Sequence, residues 1–190
     1  MKRTILFILI IIIIMAELSA LAESVALPDT TQISDMTLTS TAIIDGALGL
    51  PYGAKGKQFI KKTIPSLSPP LTISNIPKDT AALAITMIDP DGGDWVHWLV
   101  ANIPVNDTIC EIPENASIDW SEDIIQGIND FKTIGYGGPT PPSGVHRYVI
   151  TVYALSEKLD IKAGFNLSQF QELSEGKVLT EATVIGTYAR

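Results

Sequence analysis

Two apolar runs set close together limit the folds open to this chain. Ala81–Ile88 (AALAITMI) is continuously apolar and stops at an acidic turn, the pattern of a fully buried strand. Trp95–Asn102 (WVHWLVAN) follows after the short DPDGGD segment and reads as its hairpin partner. A strand buried on both faces needs covering layers, so the rest of the chain must supply them.

Most of the remainder also reads as strand. Met36–Ile44 (MTLTSTAII) is β-branched and partly alternating, and Lys57–Ile64 forms a further short strand whose lysines suit a solvated edge. Prolines 65, 69 and 70 end that segment, because they cannot donate to a central ladder. Leu71–Asn75 is short and extended. His146–Leu155 is the clearest strand, and Thr180–Tyr188 is the last. Pro104–Thr133 is loop-rich. Only Leu167–Glu175 looks helical, with Ser168 near its start and Gly176 just past its end. The 190 residues fit one domain, with no repeat or low-complexity linker dividing an all-β core.

The first residues have a different character. Lys2 and Arg3 precede an apolar run, Ile5–Met15, which leads to the small-residue site Ala20-Leu21-Ala22. That order is a secretory signal over 1–22, followed by a leader over 23–35 and the folded domain over 36–190. The apolar run is short of the ~20 residues a bilayer span needs, so the chain is expected to be exported, with an uncleaved anchor as the alternative. A net charge of −8 excludes a basic nucleic-acid binder. Cys110, the single cysteine, rules out an internal disulfide and is expected to be a buried, inert thiol. Asn106-Asp107-Thr108, Asn115-Ala116-Ser117 and Asn166-Leu167-Ser168 match the N-glycosylation acceptor, a short and often accidental pattern.

The candidate chemistry gathers at the two histidines. His97 lies in DPDGGDWVHW, and His146 closes GGPTPPSGVHRY. Should their strands be neighbours, both imidazoles could face one pocket with Asp89, rimmed by Gly137, Gly138, Pro139, Pro141 and Pro142. Protonated imidazoles and free backbone amides bind anions, and a nearby carboxylate keeps a histidine protonated. The alternative is that each ring only satisfies a core hydrogen bond. A metal site from His97, His146, Asp89 and Asp91 has suitable ligand types without tight spacing. DPDGGD lacks the EF-hand spacing and its terminal Glu. Neither Ser143 nor Cys110 has a nucleophile signature around it. Arg147, next to His146 in a strand, should point to the opposite face and pair with an acid such as Asp91.

Four stretches carry a resemblance: SPPLTISNIP (Ser68–Pro77), AITMIDPDGGDWVHWLVANIP (Ala84–Pro104), GINDFKTIGYGGPTPPSGVHRYVITVYAL (Gly127–Leu155) and the terminal VIGTYAR. On these the chain resembles the phosphatidylethanolamine-binding protein family, in particular its bacterial and archaeal Raf kinase inhibitor-like branch. The resemblance implies a mainly β fold, a β-sandwich around a large antiparallel sheet with a short late helix. It also implies a small pocket for phosphate-like or carboxylate anions, built here from Asp89, His97, Gly137, Pro141, His146 and Tyr148, with Tyr136 at the mouth. Thr72-Ile73 stands where the family usually has an aromatic residue, and Gly92-Gly93 where it commonly has a small residue and Pro. The expected function is non-catalytic anion binding without a cofactor or stable membrane span, together with a kinase or protease as protein partner. Two other functions stay open: a hydrolase-type enzyme using His97, His146 and Asp89, and a protease inhibitor acting through a surface loop such as Pro104–Ile118.

Overall fold

The computed structural model describes residues 35–120 and 124–190; the expected signal 1–22, and all of the leader except Asp35, lie outside the described residues. In chain order the strands are β1 (Thr37–Thr39), β2 (Ile43–Ile44), β3 (Ala47–Leu48), β4 (Phe59–Ile60), β5 (Ile64–Pro65), β6 (Leu71–Ser74), β7 (Ala82–Asp89), β8 (Trp95–Ile103), β9 (Cys110–Ile112), β10 (Ile125–Gln126), β11 (Val145–Leu155) and β12 (Val178–Ala189). Among the described residues two α-helices accompany them, α1 (Ala116–Asp119) and α2 (Leu167–Ser174). None of the described helices is long and apolar enough to cross a membrane.

The main sheet has the order β10-β8-β7-β11-β12-β3-β2, and a second sheet has the order β1-β6-β9. The expected hairpin of β7 and β8 forms, and β11 takes the other side of β7. β7 is therefore central, and every residue of it except Ile88 is buried. Side chains alternate across the sheet. Leu83, Ile85 and Met87, with Ile150, Val152 and Ala154, pack in one cluster with Leu38, Leu71, Ile73 and Ile112 of the second sheet. Ala84, Leu99, Ala101 and Leu155 face the other way, into a cluster closed by Leu159, Ile161, Phe165 and Phe170. One face is thus a β-sandwich, and the other is covered by α2 and the segment before it. Burying side chains of this size contributes about 1.5–3 kcal/mol each, so packing alone can hold a chain with one cysteine. That cysteine, Cys110, is only half-buried, with its thiol pKa raised by burial.

Several local expectations are corrected. The sheet is mixed where an antiparallel one was expected, because β12 meets β3 in parallel at Thr187 and Ala47. Met36–Ile44 divides into β1 and β2, which lie in different sheets. Ser40 makes the break: its hydroxyl donates to the Pro70 carbonyl (2.5 Å) and accepts from the Ala42 amide (3.2 Å). Lys57–Ile64 is a two-stranded ribbon, since Lys61 and Lys62 turn the chain with φ of 47° and 69°. The late helix begins where expected, with Asn166 as its cap just before Ser168. The Asn166 side chain accepts from the Gln169 amide while Gln169 Oε1 accepts from the Asn166 amide, both at 2.9 Å. The segment Pro104–Ile118 is no free loop: it contains β9 and the start of α1, with Ile112, Ala116 and Ser117 buried.

Candidate functional site

The strands bearing the two histidines are not neighbours; β7 lies between them and ends in Asp89. On β11, His146 and Tyr148 share the sandwich face with Ile150 and Val152, two residues apart each time. Asp89 follows Met87 and Ile85 on the same face of β7. His97 reaches that face by another route. Ile88 pairs with Val96 and Met87 with Trp98, which leaves His97 as the extra residue of a bulge. A bulge of this kind bends the strand and re-aims a side chain. The His97 ring lands edge-on against Tyr148 (centroids 5.1 Å apart) and against Phe131 (5.6 Å).

Asp89, His97, His146, Tyr148 and Pro141 line one cavity of about 340 Å³, whose remaining wall is Gly92, Trp95, Phe131, Thr140 and Pro142. Asp89 organises it from within. Its Oδ1 accepts from the Gly92 amide (2.8 Å), which closes the acidic turn, and its Oδ2 accepts from His146 Nδ1 (2.7 Å). His146 therefore shows its other ring nitrogen to the cavity. The turn is also tied to β11 from outside. Arg147, on the opposite face from His146, donates to Asp91 through Nε (3.0 Å), Nη2 (2.7 Å) and its backbone amide (2.8 Å). Those hydrogen bonds hold the Asp91 carboxyl down to about 2.

His97 behaves differently from the expectation of two charged imidazoles. It is 2% exposed, and its Nδ1–H donates to the Gly137 carbonyl at 2.5 Å. Burial pushes its pKa down to about 4, against the raising effects of the Gly137 carbonyl and of Asp89. The ring is neutral near pH 7. Tyr148 is fully buried; burial, then the negative charge of Asp89, raise its pKa. Its hydroxyl makes no hydrogen bond of good geometry, although its contact with the Asp89 carboxylate adds to the rise.

Of the Gly-Pro segment only Thr140, Pro141 and Pro142 line the cavity; Gly137, Gly138 and Pro139, expected at its rim, are not among the lining residues. The Gly137 amide donates to the His97 carbonyl (2.9 Å) and the Gly138 amide to the Pro65 carbonyl (2.8 Å), so neither is free for a ligand. Glycine is needed there for close approach: a Cβ on Gly137 would stand 2.5 Å from Phe131 Cδ2, and one on Gly138 would run into the Tyr52 carbonyl oxygen. Tyr136 is likewise corrected. It is not at the mouth but buried, 2% exposed, against Trp98. Its hydroxyl donates to the Tyr52 carbonyl (2.8 Å) and its amide to Ser117 Oγ (2.8 Å), which pins the wall from behind.

Sequence reasoning passed over two aromatic residues. Trp95, 38% exposed, and Phe131 meet edge to face at 5.5 Å across one side of the cavity. Phe131 is positioned by its neighbours: Asp130 bonds the Val96 amide (2.8 Å) and donates its own amide to the Val96 carbonyl (3.0 Å). Buried Asn129 holds the turn through Thr133 and Gly135. The signal was the aromatic flanking of both histidine motifs. Among the described residues, no three His, Cys, Asp or Glu side chains stand together as a metal-ligand group.

Comparison with known proteins agrees with this architecture. Residues 39–189 match the family model described as phosphatidylethanolamine-binding protein. A UPF0098 protein of Methanothermobacter thermautotrophicus is 41% identical over 129 residues, covering 66% of this chain and 84% of the relative. YxkA, an uncharacterised protein of Bacillus subtilis, is 39% identical over 145 residues, covering 67% of this chain and 84% of its own. Among solved structures, a phosphatidylethanolamine-binding protein homologue of Chlamydia trachomatis superposes with a TM-score of 0.69 at 31% identity, covering 83% of this chain and 99% of that one. YbcL of Escherichia coli, a member of the mammalian family, gives 0.69 at 29% identity, covering 82% and 98%.

Proposed function

The chain belongs to the phosphatidylethanolamine-binding protein family, and from that premise we propose that it is an exported, non-catalytic binding protein whose pocket takes a small oxyanion. One observation carries the reading: Asp89, His146 and Tyr148 converge on one pocket, where the buried Tyr148 hydroxyl has no well-formed hydrogen bond beyond its contact with the Asp89 carboxylate. Leaving such a group unpaired costs about 1–3 kcal/mol, and a ligand oxygen would remove that cost. His146, fixed on Asp89, supplies the second polar contact. Trp95 and Phe131 give the rest of a ligand an apolar surface. Export rests on the order of charge, apolar run and small residues in 1–22. A kinase or protease partner rests on the family alone.

Calorimetry with inorganic phosphate tests the reading. Removing one charge-assisted contact worth about 1.5–3 kcal/mol weakens binding roughly tenfold to a hundredfold. The double variant His97→Ala, His146→Ala should therefore bind no detectable phosphate while keeping its β-sheet circular dichroism. Equal affinity in both proteins would reduce the histidines to core residues. The Asp89–His146 pair is also how enzymes orient a general base. Turnover of phosphoesters that disappears with His146→Ala would favour that second reading.

A further inference from the structure

His97 meets the pocket with a lone pair and not with a proton. A carbonyl oxygen only accepts hydrogen bonds, so the nitrogen 2.5 Å from the Gly137 carbonyl must bear the hydrogen. In a neutral ring the other nitrogen, Nε2, is then an acceptor. The ring has no freedom to exchange the two: Phe131 and Tyr148 clamp it edge-on, and the bulge fixes its backbone. The charged and titratable groups facing it are Asp89 on β7, His146 and Tyr148 on β11, and Asp130 on the loop after β10. Two of the four are carboxylates, so discrimination at this ring rests on which partner donates the hydrogen bond and not on an excess of positive charge.

We propose that the pocket selects an oxyanion that still carries a proton, namely hydrogen phosphate or the monoanion of a phosphate monoester, over anions with no P–OH to donate to His97. The inference rests on the oxyanion reading above and sharpens it. A bound P–OH donates to His97 Nε2, while unprotonated ligand oxygens accept from the Tyr148 hydroxyl and from His146. An anion of the same shape without a proton places a lone pair against the His97 lone pair.

Sulfate is the discriminating probe, being tetrahedral like phosphate yet unprotonated near neutrality. Titration calorimetry on the mature protein should compare inorganic phosphate, sulfate, a simple alkyl phosphate monoester and a dialkyl phosphate at pH 5.5 and pH 8. One mismatched buried polar contact is worth about a tenfold to hundredfold change in affinity, so phosphate should exceed sulfate by at least that at both pH values. The monoester loses its last proton at about pH 6, so its affinity should fall by a comparable factor at pH 8, where inorganic phosphate still has one proton. The diester should bind like sulfate. His97→Gln, whose amide can turn a donor inward, should narrow the phosphate-to-sulfate ratio. Because the wild-type ratio is decisive by itself, a misfolded variant leaves the test intact. Sulfate binding within twofold of phosphate overturns the selectivity while the oxyanion reading survives. Failure of every probe to bind overturns both.

Discussion

Replacing Tyr148 by Phe should make the ligand-free protein no less stable while making it a poorer binder. The hydroxyl is buried with no well-formed hydrogen bond, its contact with Asp89 aside, and an unsatisfied buried polar group costs about 1–3 kcal/mol. The ring itself is packed edge-on against His97, and Phe keeps that contact. Tyr148→Phe should therefore raise unfolding stability by between zero and about 3 kcal/mol, read from urea melts with an unchanged m-value. In calorimetry the same change should cost roughly a factor of ten to a hundred in phosphate affinity, since the ligand then loses a donor. Most substitutions of buried residues destabilise, so the opposite signs for stability and binding are distinctive. A loss of stability above about 1 kcal/mol without ligand would refute the reasoning, because it would mean that the contact of the hydroxyl with the Asp89 carboxylate is already a full hydrogen bond.

Further predictions follow from the same contacts. His97 has its pKa lowered from 6.5 to about 4, so the unfolded chain takes up the proton first. Its contribution to stability is complete above about pH 6.5, is lost as pH falls towards 4, and amounts to about 3 kcal/mol over the window. Urea melts at pH 7 and pH 4.5 should show a smaller drop for His97→Gln than for wild type; identical drops would place the titrating group elsewhere. Gly138→Ala should destabilise by about 1–3 kcal/mol, because its Cβ meets the Tyr52 carbonyl oxygen, and an unchanged melting curve would contradict that close approach. Amino-terminal sequencing of exported protein should begin at Glu23 or within a few residues, whereas intact Met1 in a membrane fraction would contradict cleavage.

The long strands were legible because burial writes itself plainly into sequence. β7 is a continuous apolar run since both its faces are covered, and β11 reads as strand over its full buried length. Alternation also placed Arg147 opposite His146 and paired it with Asp91. The same rule could not place His97. A regular strand would send it to the α2 face with Leu99 and Ala101, and a bulge set by register with β7 has no local signature. Short elements failed for a related reason. The break at Ser40 depends on the Pro70 carbonyl thirty residues away, and the role of Tyr136 depends on Tyr52 and Ser117. The Gly137 and Gly138 amides looked available in a loop, and only the fold shows them spent on the His97 and Pro65 carbonyls. The protonation state of His97 was beyond reach for the same reason, since depth of burial is a tertiary property.

The central claim is that an oxyanion sits between His97, His146 and Tyr148. Ring-nitrogen NMR of the two histidines during a titration with inorganic phosphate tests it most directly. Both rings should shift along one saturable curve in the wild-type protein, with His97 keeping its proton on Nδ1 throughout, and the curve should move to about tenfold or more higher phosphate in Tyr148→Phe. Shifts that never saturate, or that leave the His97 ring nitrogens untouched, would contradict the account.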